Sequence, residues 1–157
     1  MSLLAKNTAW NLIGQLAPIL AAVFAIPWLI AGMGVDRFGV LTLAWMVLGY
    51  FSVFDLGLGR ALIVLMSEKL GAGSLEEIPS LVWTALLLML LLGVIGGAVM
   101  WGLSGWLSQD ALAIPLDLMA ETTTTFQLLA VSVPIVILTT GFRGILEAYQ
   151  RFDLVNI

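Results

Sequence analysis

The sequence predicts an all-α integral membrane protein with four transmembrane helices, and three observations predict it. Hydrophobic residues make up 61% of the 157 positions and charged residues only 10%, against roughly 25% charged in a soluble domain. Mean hydropathy is +1.10. Uncharged runs recur from Asn7 to Val35, Phe38 to Phe54, Ile78 to Gln109 and Thr122 to Phe142, and a spanning helix needs about 20 mostly apolar residues. The chain also has no histidine and no cysteine. That excludes an imidazole base, a thiolate nucleophile, a Cys/His zinc site, a disulfide and a Ser-His-Asp triad. Six bases against ten acids leave no basic patch for nucleic acid. Neither an enzyme nor a nucleic-acid binder is expected.

The first helix is expected over 9–33. Lys6 precedes it, but the apolar run from Leu12 to Met33 exceeds the about 7 to 15 residues of a signal-peptide core, so it is a membrane helix. Asn7, Asn11 and Gln15 recur every four positions and form one stripe with Pro18 and Ala22. Such a stripe either walls a wet cavity or supplies helix-to-helix hydrogen bonds, worth about 0.6 kcal/mol each. Pro18 and Pro27 remove backbone donors and predict a bend.

The second helix is expected over 38–66. The apolar run resumes at Ala61, which leaves Asp55 and Arg60 inside a helix of about 42 Å. A carboxylate within the bilayer costs about 2.5 to 3.5 kcal/mol at its centre. In a regular helix Asp55 and Arg60 point about 140° apart, so they pair only if Gly57 to Gly59 is unwound. The two can serve as an ion relay or an anchor for an anionic head group, or as a structural pin at the membrane edge, since an arginine can snorkel.

The third helix is expected over 78–107, after a polar turn of Glu68, Gly71, Gly73, Glu76 and Glu77. Within it Gly93-x-x-x-Gly97 is a close-packing pattern. The fourth, over 122–142, starts in four threonines and contains Pro134. A connector over 143–157 follows. There Arg143, Glu147 and Arg151 are spaced by four, an expected charge ladder on one helix face. Phe142, Leu146, Tyr149 and Phe152 are available to dip into the interface.

Lys and Arg counting sets the expected orientation. With the N-terminus in the cytoplasm, Lys6, Arg60, Lys69, Arg143 and Arg151 lie at the inner face and only Arg37 outside. The connection from Leu107 to Thr125 carries Asp110, Asp117 and Glu121 with no base, as befits an external loop. Trp10, Trp83 and Tyr149 then mark the inner interface and Trp28, Trp101 and Trp106 the outer one.

Three stretches carry a resemblance: KNTAWNLIG from Lys6, GMGVDRFGVLTLAWMVLGYFSVFDLGLGRA from Gly32 to Ala61, and RGILEAYQRFDLVNI from Arg143. Their motifs run in order: an Asn-rich first-helix start, Gly-x-x-x-Phe-Gly at Gly34 to Gly39, Asp-x-Gly-x-Gly at Asp55, and Arg-Gly-x-x-x-Ala-x-x-Arg-Phe at Arg143. The chain resembles the N-terminal part of a lipid-linked oligosaccharide flippase, a polysaccharide biosynthesis protein of the multidrug, oligosaccharidyl-lipid and polysaccharide exporter superfamily. The resemblance implies a two-lobed transporter of roughly twelve or more helices with alternating access between the lobes. Residues 1–157 would then be an incomplete first lobe, ending where a fifth helix is due.

The implied activity is flipping a polyprenyl-diphosphate glycan across the bacterial inner membrane, and the Lys and Arg count puts the N-terminus and the residue 157 end in the cytoplasm. No covalent bond changes, no cofactor is implied, and coupling to H+ or Na+ stays open. Arg60 would meet phosphate first and Arg143 second; Asn11 and Gln15 would wall the cavity; Asp55 would be an orienter or a coupling-ion site. The expected partners are the bilayer, the glycan lipid and the remaining helices of the transporter. Two alternatives remain: a drug or cation antiporter of the same superfamily, and a self-contained four-helix homodimer.

Overall fold

The computed structural model describes the backbone of residues 3–51, 55–112 and 114–156, and the side chains of 10–50, 55–112 and 114–156. The elements in order are α1 (Leu3–Met33), α2 (Val35–Phe51), α3 (Leu58–Ala72), a 3-10 turn (Leu75–Glu77), α4 (Ile78–Trp106), a π-helical turn (Leu107–Ala111), α5 (Met119–Ala148) and α6 (Phe152–Val155). No strand occurs among the described residues. This is the helical membrane architecture that the composition predicts.

The expected count of four spanning helices needs correction. Among the described residues three stretches are long and apolar enough to cross a membrane: Trp10–Met33, Leu75–Ala111 and Met119–Ala148. The second expected helix, 38–66, is not continuous. α2 ends at Phe51 and α3 begins at Leu58, with Leu56 (φ 51) and Gly57 (φ 79) in the left-handed region between them. A helix cannot propagate through that backbone.

The last helix departs from expectation in the other direction. α5 begins before Thr122 and runs on to Ala148, so much of the expected connector is its final turns. It stops where Gln150 takes φ 56, and this break also cuts the expected ladder. Arg143 bonds Glu147 at 2.7 Å, whereas Arg151 turns to Asp153 at 2.9 Å. α1 passes through Pro18 and Pro27 without interruption.

The core lies between α4 and α5. Met89, Met100, Phe126, Ala130, Val133 and Ile137 form one buried cluster. Leu62, Met66, Ile78, Ala85 and Ala148 form another where α3 joins them. Small residues allow the close approach, as the Gly93-x-x-x-Gly97 pattern predicts. A Cβ on Gly93 would lie 2.6 Å from Pro134 Cα, and one on Gly97 2.6 Å from the Ala130 carbonyl oxygen. Lipid is as apolar as leucine, so van der Waals contact between such surfaces drives association rather than water exclusion.

The two ends of the bundle differ. At one end Met66, Ile78 and Ala148 meet, and α3 closes with Gly73 (φ 75) beside a Lys69–Glu77 ion pair of 2.7 Å. At the other, the first turn of α2 reaches the first turn of α5 through Arg37 and Glu121, near the π-helical turn. There the Ser108 hydroxyl meets that of Thr123. α2 starts at the second end and α3 finishes at the first.

Candidate functional site

The break between α2 and α3 is built by one carboxylate. The first N–H groups of a helix lack intrahelical acceptors. At α3 Asp55 supplies them: Oδ1 accepts from Gly57 N at 2.9 Å and Oδ2 from Gly59 N at 3.3 Å. The Thr140 hydroxyl of α5 lies 3.4 Å from the same Oδ2. Its single hydrogen also reaches the Ile137 carbonyl at 2.7 Å, so the shorter contact takes most of it. Glycine at 59 lets α3 sit close to this carboxylate: a Cβ there would stand 3.0 Å from Asp55 Oδ2, which would have to give by a few tenths of an ångström. Gly144, one turn on from Thr140, receives the Gly59 carbonyl in the same way, at 3.1 Å from its would-be Cβ.

The unwinding that direct pairing of Asp55 and Arg60 needs is therefore present, yet the pair does not form. Asp55 turns to backbone and threonine. Arg60 is exposed and has no ion-pair partner among the described residues. No group of three or more potential metal ligands occurs among the described residues.

Arg143 stands one turn beyond Thr140 on α5. Its Nε donates to Glu147 Oε1 at 2.7 Å, which fixes the guanidinium and leaves its terminal nitrogens without a partner among the described residues. It borders an open cavity of about 450 Å³ between α5 and α6, lined also by Thr139, Thr140, Phe142, Leu146, Leu154 and Val155. Thr139 and Thr140 donate to the Val136 and Ile137 carbonyls, so their hydroxyl hydrogens are engaged and their oxygens keep only acceptor capacity. Arg151 donates to both oxygens of Asp153, at 2.9 and 3.2 Å. That hydrogen bond holds the Asp153 carboxyl below the usual carboxylate range.

The polar stripe of α1 is only partly engaged. Asn11 accepts from Asn156 Nδ2 at 3.1 Å, and Asn156 sits directly over Gly14, where a Cβ would collide with it. Gln15 and Pro18 are exposed and Ala22 is half-buried. The Asn7 side chain lies outside the described residues. Thus Asp55, Thr140 and Arg143 gather on one side of α5, Asn11 joins α6, and Gln15 and Arg60 stay apart. Sequence reasoning missed Thr140, Asn156 and Glu121. A threonine one turn before Arg143 was a visible hint for the first; the other two act only through tertiary contacts.

Residues 15–157 match the MatE family. The chain belongs to the MatE family. A Shigella flexneri protein named "Putative O-antigen transporter" is 31% identical over 152 residues, which is 97% of this chain and 36% of that protein. The MatE chain thus spans about a third of the length of this curated relative. No solved structure matches it. The membership agrees with the exporter-superfamily resemblance carried by the Gly34, Asp55 and Arg143 motifs.

Proposed function

We propose that this MatE chain is part of the first lobe of an exporter that flips a polyprenyl-diphosphate glycan across the bacterial inner membrane by alternating access. The observation that carries this reading is the 31% identity to the O-antigen protein along 97% of the chain. The geometry supports a polar route along α5. Arg143 is held by Glu147 with its terminal nitrogens free, and guanidinium forks suit phosphate oxygens. Threonine oxygens beside it accept hydrogen bonds from sugar hydroxyls, while Phe142, Leu146, Leu154 and Val155 offer an apolar wall on the side of a lipid tail.

In this reading Arg143 is the first candidate for phosphate, because it borders the cavity between α5 and α6, and Arg60 is the second. Asp55 acts as orienter of α3 against α5, and Asn11 and Gln15 as wall residues of α1. The alternative is a drug or cation antiporter of the same family, for which Asp55 is the candidate exchange acid. One assay separates them. The full-length transporter is reconstituted in liposomes with a glycan diphospholipid labelled on one leaflet, and flipping is followed by loss of reagent access. Arg143→Gln is expected to slow flipping at least tenfold while Asp55→Asn retains it. No flipping by the parent, with a cationic drug exchanged for protons and that exchange abolished by Asp55→Asn, overturns the glycan reading.

A further inference from the structure

Among the described residues, Arg37 and Glu121 form the one ion pair between elements far apart in the sequence, 84 positions along the chain. The other ion pairs join near neighbours: Lys69 to Glu77, Arg143 to Glu147 and Arg151 to Asp153. Arg37 sits in the first turn of α2 and Glu121 in the first turn of α5. Both Nε, at 3.2 Å, and Nη2, at 3.1 Å, converge on Glu121 Oε2.

Three further features surround this pair. Behind it lies a partly enclosed cavity of about 180 Å³, walled by Met33, Val40, Leu41, Leu118, Thr122 and Thr125, with Arg37 and Glu121 on its lining as well. Thr122 is fully buried and its hydroxyl has no hydrogen-bond partner among the described residues. Finally, α1 and α2 are joined through Gly34 alone, at φ 86, a conformation that a residue with a side chain rarely adopts. The α1–α2 corner thus turns on one glycine and, among the described residues, is joined to α5 by one ion pair, while Val47 farther along α2 packs against the α4–α5 core.

The two side chains are 55% and 54% exposed, and an ion pair so open to solvent contributes only about 0 to 1 kcal/mol. A link of that size does little for stability. It does suit a contact that must open and close, because it holds a geometry without a deep energy well. We propose that Arg37 and Glu121 are gating residues: their pair latches the α1–α2 corner onto α5 and closes the cavity bounded by Val40, Thr122 and Thr125. Opening the latch admits water or a polar group to the Thr122 hydroxyl, which then gains the partner it lacks. The proposal rests on the chain's being part of a membrane transporter, but not on which molecule is carried.

The test reads access rather than transport. In a cysteine-free full-length transporter in membrane vesicles, Val40→Cys reports on the cavity and Thr84→Cys, on the exposed side of α4, reports general loosening. A small charged thiol reagent is applied to each face in turn. Arg37→Gln and Glu121→Gln are expected to raise labelling of the Val40 cysteine at least fivefold, and the swap Arg37→Glu with Glu121→Arg to return it to within twofold of the parent. Raising salt from about 0.05 to 1 M screens exposed charges, so it should speed labelling of the parent and leave Arg37→Gln unchanged. Equal rates in parent and single variants, a swap as open as either single change, or a parallel rise at position 84 each overturn the latch. Since no substrate enters the assay, a wrong substrate assignment leaves this result intact.

Discussion

Asp55 occupies a position where a carboxylate would be costly if left bare, and the Gly57 and Gly59 amides donate to it. Its role in the fold is to begin α3 while α2 and α3 stay separate. Replacing a capping side chain by alanine costs about 0.5 to 2 kcal/mol, so Asp55→Ala should lower stability by that amount in denaturant titrations of the purified transporter. Asp55→Asn keeps one acceptor oxygen and should recover at least half of the loss; an asparagine variant as unstable as the alanine one contradicts the capping role. The pairing partner was not legible from sequence. The five-residue spacing made direct pairing with Arg60 conditional on an unwound turn; the turn is unwound, but Asp55 accepts from the Gly57 and Gly59 amides instead.

Between helices, the glycine pattern was legible and its partner was not. Gly93-x-x-x-Gly97 announces close approach, yet only the structure brings it onto Ala130 and Pro134 of α5. At Gly93 the obstructing atom is Pro134 Cα, a backbone atom that cannot rotate away. Gly93→Ala should therefore destabilise the α4–α5 pair by about 1 to 3 kcal/mol. Gly102, also on α4, has open space where its Cβ would be, and Gly102→Ala should be neutral or stabilising by up to about 1 kcal/mol. Equal effects of the two changes in the same unfolding titration would refute the contact. Helix ends were the weakest part of the reading for a physical reason. Hydropathy marks where apolar side chains run, but the helix expected over 38–66 is interrupted by the left-handed backbone at Leu56 and Gly57, and α5 continues past Arg143 because Arg, Leu, Glu and Ala are good helix formers whatever their polarity.

For the molecule as a whole, the membrane class was legible at once, since composition alone leaves too few charges for a water-soluble surface. The family was legible through short motifs that the structure places at its corners: Gly34 at the α1–α2 turn, Asp55 before α3 and Arg143 near the end of α5. Orientation is a prediction at this scale. α4, at 29 residues, is about 43 Å long and separates the Lys69 end from the Asp110 end. In inside-out and right-side-out vesicles of the full-length transporter, Lys69→Cys should react with an impermeant reagent only from the cytoplasmic face and Asp110→Cys only from the opposite one. Labelling of both from one side refutes the expected topology. The contact between Asn156 and Asn11 has a bearing on biogenesis. The two residues are 145 positions apart, and at about 5 to 20 residues per second of synthesis the earlier amide waits roughly 7 to 30 s for its mate. During that interval the leading segment resides in the translocation machinery or the lipid with an unquenched amide, so nascent-chain crosslinks from Asn11 should vanish only when the ribosome has moved well past codon 156.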